Sequence, residues 1–262
     1  MGKYYTVQIR ASKCHYQVRI NDAIIYIGSD GYNVDFELPI NHLTFLGANA
    51  VGISILPLKN QTQLSELSIF KITVYEREHK EDRENRKDLS NYKAPDFHAK
   101  DSTPPTILLN QLQFENTDPH FKNIDWNNSL QKFNPDEIYS QVVSYYKFFH
   151  QLMVAKNMNE IMSNLKTKMQ HYSTSMFINM DEFIELNRNF YDTMFSNKNI
   201  VAWPLEKQKL ILLGNLDNKL FTLKNEIQES PLIFYDKKEK ESHYIDFFIG
   251  KPKNENAFKI II

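Results

Sequence analysis

The stretch 134–156, NPDEIYSQVVSYYKFFHQLMVAK, constrains the fold more than any other part of the chain. Its apolar residues recur at steps of three and four, the spacing that gathers side chains on one face of an α-helix. Asn134 can cap this helix, and Pro135 suits its first turn, where a missing backbone N–H costs no hydrogen bond. The apolar face comprises Ile138, Val142, Tyr145, Tyr146, Phe149, Leu152 and Met153. Because a face this broad has to be covered by other elements, the helix predicts a packed domain around it.

The residues after this helix predict two more helices and then a set of strands. A second helix is predicted after Asn157, and a third begins near Asp181. The expected buried face of the third helix carries Phe183, Leu186, Phe190 and Met194. Pro204 ends the helical region, and strand patterns follow at 210–224, 232–236, 243–249 and 258–262. Helices first and strands last predict an α+β domain at 131–262, with three helices packed on an antiparallel sheet.

The first 130 residues predict an all-β domain. Short runs that alternate polar and apolar residues are separated by turn residues. Asn21 and Asp22, between two such runs, suit a tight hairpin turn. The runs lie at 4–10, 15–20, 23–28, 33–38, 51–58, 66–76 and 106–115. This pattern is typical of an antiparallel β-sandwich, which we place at 1–130.

A strongly charged stretch interrupts this domain. Residues 76–88, EREHKEDRENRKD, mix both signs of charge with almost no apolar residues, so they cannot form a core of their own. We predict a solvated, charged excursion of the β-sandwich domain at 76–105. A short helix with an ion pair between Glu76 and Lys80 is the alternative.

The composition of the chain excludes several classes of protein. Its 31 basic and 32 acidic residues leave a net charge of −1, so no overall field favours nucleic acid or an anionic membrane. The single cysteine, Cys14, excludes an intrachain disulfide, and no stretch has the roughly 20 apolar residues that a membrane span requires. We therefore expect a cytoplasmic protein without nucleic-acid or membrane partners. One alternative stays open, a surface for single-stranded nucleic acid formed by Phe221, Lys207, Lys209, Lys219 and Lys224.

The chain carries no recognisable catalytic or cofactor motif. It lacks a P-loop, the dinucleotide-binding glycines, an HExxH zinc motif, a nucleophile elbow and an EF-hand loop. Its eight histidines are scattered, and no two are three to five residues apart, as a local pair of metal ligands would be. We therefore predict no cofactor, no metal and no catalytic residue.

Asp246 is the one alternative candidate for catalysis. In the run 243–249, HYIDFFI, it shares a strand face with Tyr244 and Phe248. If this face lines a cavity, aromatic rings enclose the carboxyl group, which could then exchange protons with a small molecule. The opposite face of the run is the more apolar, and this favours a register in which Asp246 faces water.

The third helix carries the best candidate for a protein-binding surface. Acidic side chains with an aromatic residue among them suit protein recognition, in which aromatic anchors lie inside a charged rim. The candidate residues are Asp181, Glu182, Glu185, Tyr191 and Asp192. The same composition also describes an ordinary solvated helix, and the sequence leaves both interpretations open.

Parts of the chain resemble known families. The stretch 152–165, LMVAKNMNEIMSNL, joins two helices that are followed by a third helix and by strands, and this order resembles the cone-shaped nuclear-transport-factor-like fold over 134–262. That superfamily contains enzymes as well as binding modules, so the resemblance leaves function open. The stretches 19–26, RINDAIIY, and 37–57, ELPINHLTFLGANAVGISILP, resemble small bacterial β-sandwich proteins encoded beside type VI secretion effectors. Some of those proteins neutralise a toxin by binding it.

The second resemblance implies a function. It describes a cytoplasmic bacterial immunity protein that binds a cognate secreted toxin and occludes its active cleft, which requires no catalytic residue in the inhibitor. Two alternatives stay open. One is an enzyme or small-molecule binder that uses an apolar pocket in the C-terminal domain, with Asp246 as its acid or base. The other is an accessory component of a secretion system.

Overall fold

Two units make up the chain, at 1–123 and 124–262. The first is an antiparallel β-sandwich, and the second combines three long helices with antiparallel sheets, so the predicted fold class is confirmed. The sequence places the boundary after residue 130, whereas the units divide after residue 123. The computed structural model describes residues 2–78, 84–97, 103–122, 126–215 and 217–262.

The described part of the first unit has eight strands in two four-stranded sheets. They are β1 (Tyr4–Ser12), β2 (His15–Ile20), β3 (Ala23–Gly28), β4 (Val34–Pro39), β5 (Gly47–Leu56), β6 (Ile69–Arg77), β7 (Lys87–Lys93) and β8 (Leu108–Asn116). One sheet has the order β4-β1-β6-β7 and the other β3-β2-β5-β8, and every pairing is antiparallel. Aromatic side chains join the two sheets, since the ring of Tyr16 on β2 lies 5.3 Å from that of Phe70 on β6. The sandwich core is the space between these sheets.

The hairpin between β2 and β3 forms as predicted. Asn21 and Asp22 have φ angles of 47° and 70°, the left-handed values that both central residues of a type I′ turn require. Asn21 also stabilises the turn with its side chain, because its amide donates to the carbonyl of Leu43 at 2.8 Å. The sequence signal and the twist of the strands therefore select the same turn.

A buried polar network ties the start of the first unit to its last strand. The Tyr5 hydroxyl donates to the Asn116 side-chain oxygen at 2.7 Å, and the Tyr5 backbone N–H donates to Asn41 Oδ1 at 2.7 Å. The Lys3 backbone N–H donates to Asp118 Oδ2 at 2.5 Å. Burial raises the pKa of the Tyr5 phenol, which keeps it protonated as the donor of this network.

The charged excursion predicted at 76–105 is partly wrong. Strand β7 runs through it and pairs with β6. Glu76 belongs to β6 and is buried, with Lys3 at 2.8 Å and Lys87 at 3.4 Å from its carboxylate, so the alternative helix through Glu76 is wrong as well. The composition misled because an edge strand with solvent on one face tolerates charged residues. Residues 79–83 and 98–102, including Lys80, lie outside the described residues.

The second unit begins with helices and continues with short strands. Its helices are α1 (Trp126–Ser129), α2 (Pro135–Val154), α3 (Met158–Ser175) and α4 (Met180–Ser196). Its strands are β9 (Ile200–Ala202), β10 (Ile211–Asn215), β11 (Leu220–Lys224), β12 (Ile233–Asp236), β13 (Glu241–Tyr244), β14 (Ile249–Gly250) and β15 (Lys259–Ile260). They form one sheet of order β10-β11-β14-β15 and a second of order β13-β12-β9. Within the described residues, every helix is too short or too polar to cross a membrane.

Helix α2 lies at the centre of the second core, as predicted. Asn134 caps it by accepting the N–H of Asp136 at 3.2 Å. Six of the seven residues predicted on its apolar face are buried, and Tyr145 is half-buried. The Tyr146 hydroxyl donates to the Phe247 carbonyl at 3.1 Å, and it accepts the N–H of Leu223 on β11 at 3.2 Å. The helix is therefore joined by hydrogen bonds to β11 and to the segment between β13 and β14.

The buried face of α4 differs from the prediction. Leu186, predicted to be buried, is 62% exposed, whereas Tyr191 is 2% exposed and packs edge to face against Phe234 of β12. The helix carries apolar residues on two adjoining faces, so its periodicity alone fits either orientation. Packing against the aromatic residues of β12 selects the face with Tyr191.

Candidate functional site

A groove of about 420 Å³ lies on one face of the β12–β13 hairpin. Ile233 is opposite Tyr244 and Tyr235 is opposite Ser242, so these four side chains share that face. Phe234, between Ile233 and Tyr235, points the other way and is buried in the core. The groove therefore lies on the outer face of the sheet. Its remaining walls are Trp203, Lys207, Gln208, Lys209, Asn225, Glu226 and Ile227.

Exposed apolar side chains dominate this groove. Trp203 is 38% exposed, Tyr244 39% and Ile227 63%, and the Trp203 ring meets Tyr235 edge to face at 5.3 Å. The backbone holds Trp203 in place, because its N–H donates to the Ile233 carbonyl at 2.8 Å and its carbonyl lies 2.9 Å from His150 Nε2. The backbone of Trp203 is thus fixed before any ligand arrives, which lowers the entropy cost of binding.

Four polar side chains in the walls of the groove have partners within the protein. The Gln208 side-chain amide donates to the Pro231 carbonyl at 2.7 Å and accepts from Asn225 Nδ2 at 3.4 Å. Lys209 forms an ion pair with Glu226 at 3.5 Å. Lys207 forms no ion pair with any residue that the structure describes, so the groove carries one uncompensated positive charge.

Asp246 lies in the link between two sheets, which corrects its predicted position. The single strand expected at 243–249 is divided into β13 and β14, which belong to different sheets. The Asp246 side chain is 47% exposed and its carboxylate forms an ion pair with Lys224, which is itself buried. Thr222 Oγ1 lies 3.5 Å from the same carboxylate. Asp246 is absent from the walls of the groove, so this groove does not provide the apolar pocket that the catalytic alternative requires.

Lys168 on α3 completes the surroundings of Asp246. Its ammonium donates to the Asp246 backbone carbonyl at 2.7 Å. Burial lowers the pKa of Lys168 to about 8, and the charge of Asp246 opposes this effect. The cluster therefore fixes the link between the sheets to α3 through a backbone contact and to β11 through an ion pair.

The protein-binding face predicted on α4 is only partly present. Asp181, Glu182, Glu185 and Asp192 are exposed. Tyr191 is buried, as described above, so the aromatic anchor predicted there is wrong. The first two acids are also the residues whose N–H groups donate to the capping side chain of Asn179, at 2.9 and 3.2 Å. Acidic residues at that position stabilise the helix dipole without any partner.

The alternative nucleic-acid surface is not formed. Phe221, the proposed stacking residue, is completely buried, and Lys224 is paired with Asp246. Lys207 and Lys209 belong instead to the groove. In the parts of the chain that are described, no three residues among His, Cys, Asp and Glu come together as metal ligands would.

Sequence reasoning missed the groove because its walls come from four separate segments. The alternation in 232–236 does place Ile233 and Tyr235 on one face, which was the available signal. Trp203 follows β9, a three-residue strand that the pattern did not predict. A strand this short has too few residues for alternation to be recognised.

No family model, curated protein or solved structure matches the chain. The resemblances to the nuclear-transport-factor-like fold and to secretion-associated β-sandwich proteins therefore rest on sequence pattern alone. Within the described residues, the groove on β12 and β13 combines exposed aromatic side chains with a positive charge that has no counter-charge.

Proposed function

We propose that this chain is a non-catalytic protein that binds another protein through the groove on β12 and β13. The observation that supports the proposal is the aromatic wall of Trp203 and Tyr244, which is open to solvent and in which the Trp203 backbone is held by hydrogen bonds. Trp and Tyr are the residues that most often dominate binding energy at protein interfaces. A charged rim with Lys207 and the Lys209–Glu226 pair surrounds them, which is the usual arrangement of such a surface.

The narrower form of the proposal is a cytoplasmic immunity protein that occludes a secreted bacterial toxin. Its support is the sequence resemblance of 19–26 and 37–57. The single buried cysteine, Cys14, agrees with a reducing compartment because the fold needs no disulfide. Inhibition by occlusion requires only a tight interface, so it is compatible with a chain in which the one catalytic candidate, Asp246, is held in an ion pair.

The alternatives have less support from the geometry. A proton-transfer enzyme needs an acid or base that faces bound substrate, and Asp246 lies outside the groove. A small-molecule binder needs polar groups that converge on its ligand, and two such groups in the groove, the Gln208 and Asn225 amides, are engaged with the protein itself. For an accessory component of a secretion system, no residue or surface provides a specific argument.

The proposal is tested by capture of the partner with matched variants. The purified chain, Trp203→Ala, Tyr244→Ala and the control Tyr32→Ala are each immobilised and exposed to lysate of the source cells. Tyr32 is exposed and lies in the first unit, so its replacement should leave the groove unchanged. We expect one stoichiometric protein on the native chain and on the control, with at least about tenfold less on the groove variants.

Two results would contradict the proposal. One is the recovery of no stoichiometric partner at micromolar concentration, and the other is equal recovery on all four proteins. The narrower form is tested next, by expressing the captured protein alone and together with the chain. We expect growth arrest in the first case and growth in the second. A partner that is harmless to cells would overturn the immunity function while leaving protein binding intact.

A further inference from the structure

Strand β13 has an open edge directly beside the groove. It pairs with β12 on one side, and no described strand lies on its other side. The directions of its backbone groups follow from the ladder, because residues of an antiparallel strand alternately face one neighbour and the other. Ile233 turns its carbonyl toward Trp203, so Tyr244, which is opposite Ile233, makes no backbone hydrogen bond to β12.

The neighbouring residue confirms this direction. The N–H of Ile245 donates to the Leu232 carbonyl at 2.9 Å, so the backbone of Ile245 faces the sheet. Tyr244 and Ser242 therefore point their N–H and C=O groups outward, to the open edge. Both residues also place their side chains in the wall of the groove. Among the residues that the structure describes, the open edge of β13 therefore presents free backbone hydrogen-bonding groups directly beside an aromatic pocket.

We propose that the partner binds as an extended polypeptide segment that adds a strand to β13, with an apolar or aromatic residue in the groove and an acidic residue facing Lys207. This inference rests on the proposed function and specifies the form of the partner. Strand addition fits because backbone bonds supply affinity while pockets for alternate side chains supply specificity. In an added strand, residues that face the same side as Tyr244 enter the groove.

The charges of the groove select an acidic residue in the partner. Glu226 already neutralises Lys209, whereas Lys207 has no counter-charge among the described residues. A carboxylate of the partner would therefore gain an ion pair without breaking one. A basic residue at the same place would meet Lys207 with like charge, which disfavours binding.

The test uses random dodecapeptides displayed on phage, selected against the full chain in solution. We expect enriched peptides to contain an aromatic or large apolar residue and an Asp or Glu two or four positions away, which places both on one face of a strand. Trp203→Ala should weaken their binding at least about tenfold. Failure to enrich any peptide, or enrichment of peptides whose binding does not depend on Trp203, would overturn the inference.

Ser242→Pro tests the backbone contact specifically. The substitution removes an N–H that points outward, so the ladder with β12 keeps its bonds and proline is tolerated as on other edge strands. We expect roughly three- to tenfold weaker peptide binding, the loss that corresponds to one hydrogen bond. Ser242→Ala is the comparison for the side chain, because it removes the hydroxyl and keeps the N–H. The affinity that Ser242→Pro loses beyond the loss in Ser242→Ala measures the backbone contact, and equal losses in the two variants would overturn strand addition.

Hydrogen exchange on the native chain provides a second measurement that needs no variant. Addition of an enriched peptide should slow exchange of the Ser242 and Tyr244 amides at least about tenfold, because both become hydrogen-bonded. Unchanged exchange at both amides would overturn strand addition. If the partner captured from cells depends on Trp203 but not on the Ser242 amide, the proposed function stands and this inference fails.

A second copy of the chain is the other candidate to cover the edge of β13. Sedimentation of the native chain and of Ser242→Pro distinguishes the two. Sedimentation of the native chain at micromolar concentration should give a monomer. A dimer that dissociates in Ser242→Pro would show that the edge pairs with itself, and it would overturn the inference.

Discussion

Replacement of Tyr146 by Phe tests the buried hydrogen bonds that hold helix α2 against β11 and against Phe247. Strand β14 pairs with β11 only at Leu220 and Phe221. Further along β11, the N–H of Leu223 donates to the Tyr146 hydroxyl at 3.2 Å, as it would to a carbonyl of a neighbouring strand. The same hydroxyl donates to the Phe247 carbonyl at 3.1 Å. Tyr146 is completely buried, so water cannot replace these bonds without opening the core. Each buried group left unpaired costs about 1–3 kcal/mol.

We therefore expect Tyr146→Phe to lower the free energy of unfolding by about 2 kcal/mol and the melting temperature by about 4–8 °C. Both tryptophans of the chain, Trp126 and Trp203, belong to the second unit, so Trp fluorescence during urea unfolding measures that unit. The control is Tyr145→Phe. The Tyr145 hydroxyl donates to Asn164 at 3.1 Å but is only part-buried, so its loss should cost less than about 1 kcal/mol.

The comparison of the two variants tests whether the Tyr146 hydroxyl provides the hydrogen-bond acceptor for Leu223 that a neighbouring strand would otherwise provide. Both remove one hydroxyl from adjacent residues of α2, and both leave the aromatic ring in place. If Tyr146→Phe costs no more than Tyr145→Phe, the hydroxyl does not substitute for a strand at Leu223. In that case packing alone holds the helix on the sheet.

Two further predictions concern a tight contact and the effect of pH. Gly28→Ala should destabilise the first unit by about 2 kcal/mol or more in thermal unfolding, because a Cβ there would lie 2.2 Å from the Tyr16 ring. In Gly52→Ala the added Cβ would lie 3.6 Å from its nearest atom, so this variant should be near neutral in the same measurement. Burial lowers the pKa of Lys168 from 10.5 to about 8, so the folded chain binds fewer protons than the unfolded chain between these values. The free energy of unfolding should therefore rise with pH across this window relative to Lys168→Gln, and parallel curves would contradict the assignment.

The elements that the sequence predicts best are those with many residues of one period. Helix α2 has seven apolar residues in register, and its cap and buried face follow from them. The β2–β3 hairpin is equally clear, because Asn21 and Asp22 suit a turn that few other residue pairs allow. In both cases the local signal and the tertiary packing agree.

The failures share one cause, which is that the deciding contact is distant in sequence. Tyr191 rather than Leu186 is buried because of Phe234, which is more than 40 residues away along the chain. The run 243–249 alternates like one strand, yet its two ends pair with different sheets. The groove combines several such segments, and no local pattern shows that they meet.

The hydrogen bond between Tyr5 and Asn116 has a consequence for the synthesis of the first unit. Its first strand, β1, lies between β4 and β6, and its last strand, β8, pairs with β5. Until 108–116 have been made, β5 presents an unpaired edge and the Tyr5 hydroxyl lacks its acceptor. A nascent chain at that stage is therefore at its greatest risk of pairing with other chains, and folding of this unit should be slow because its closing contacts span more than 100 residues.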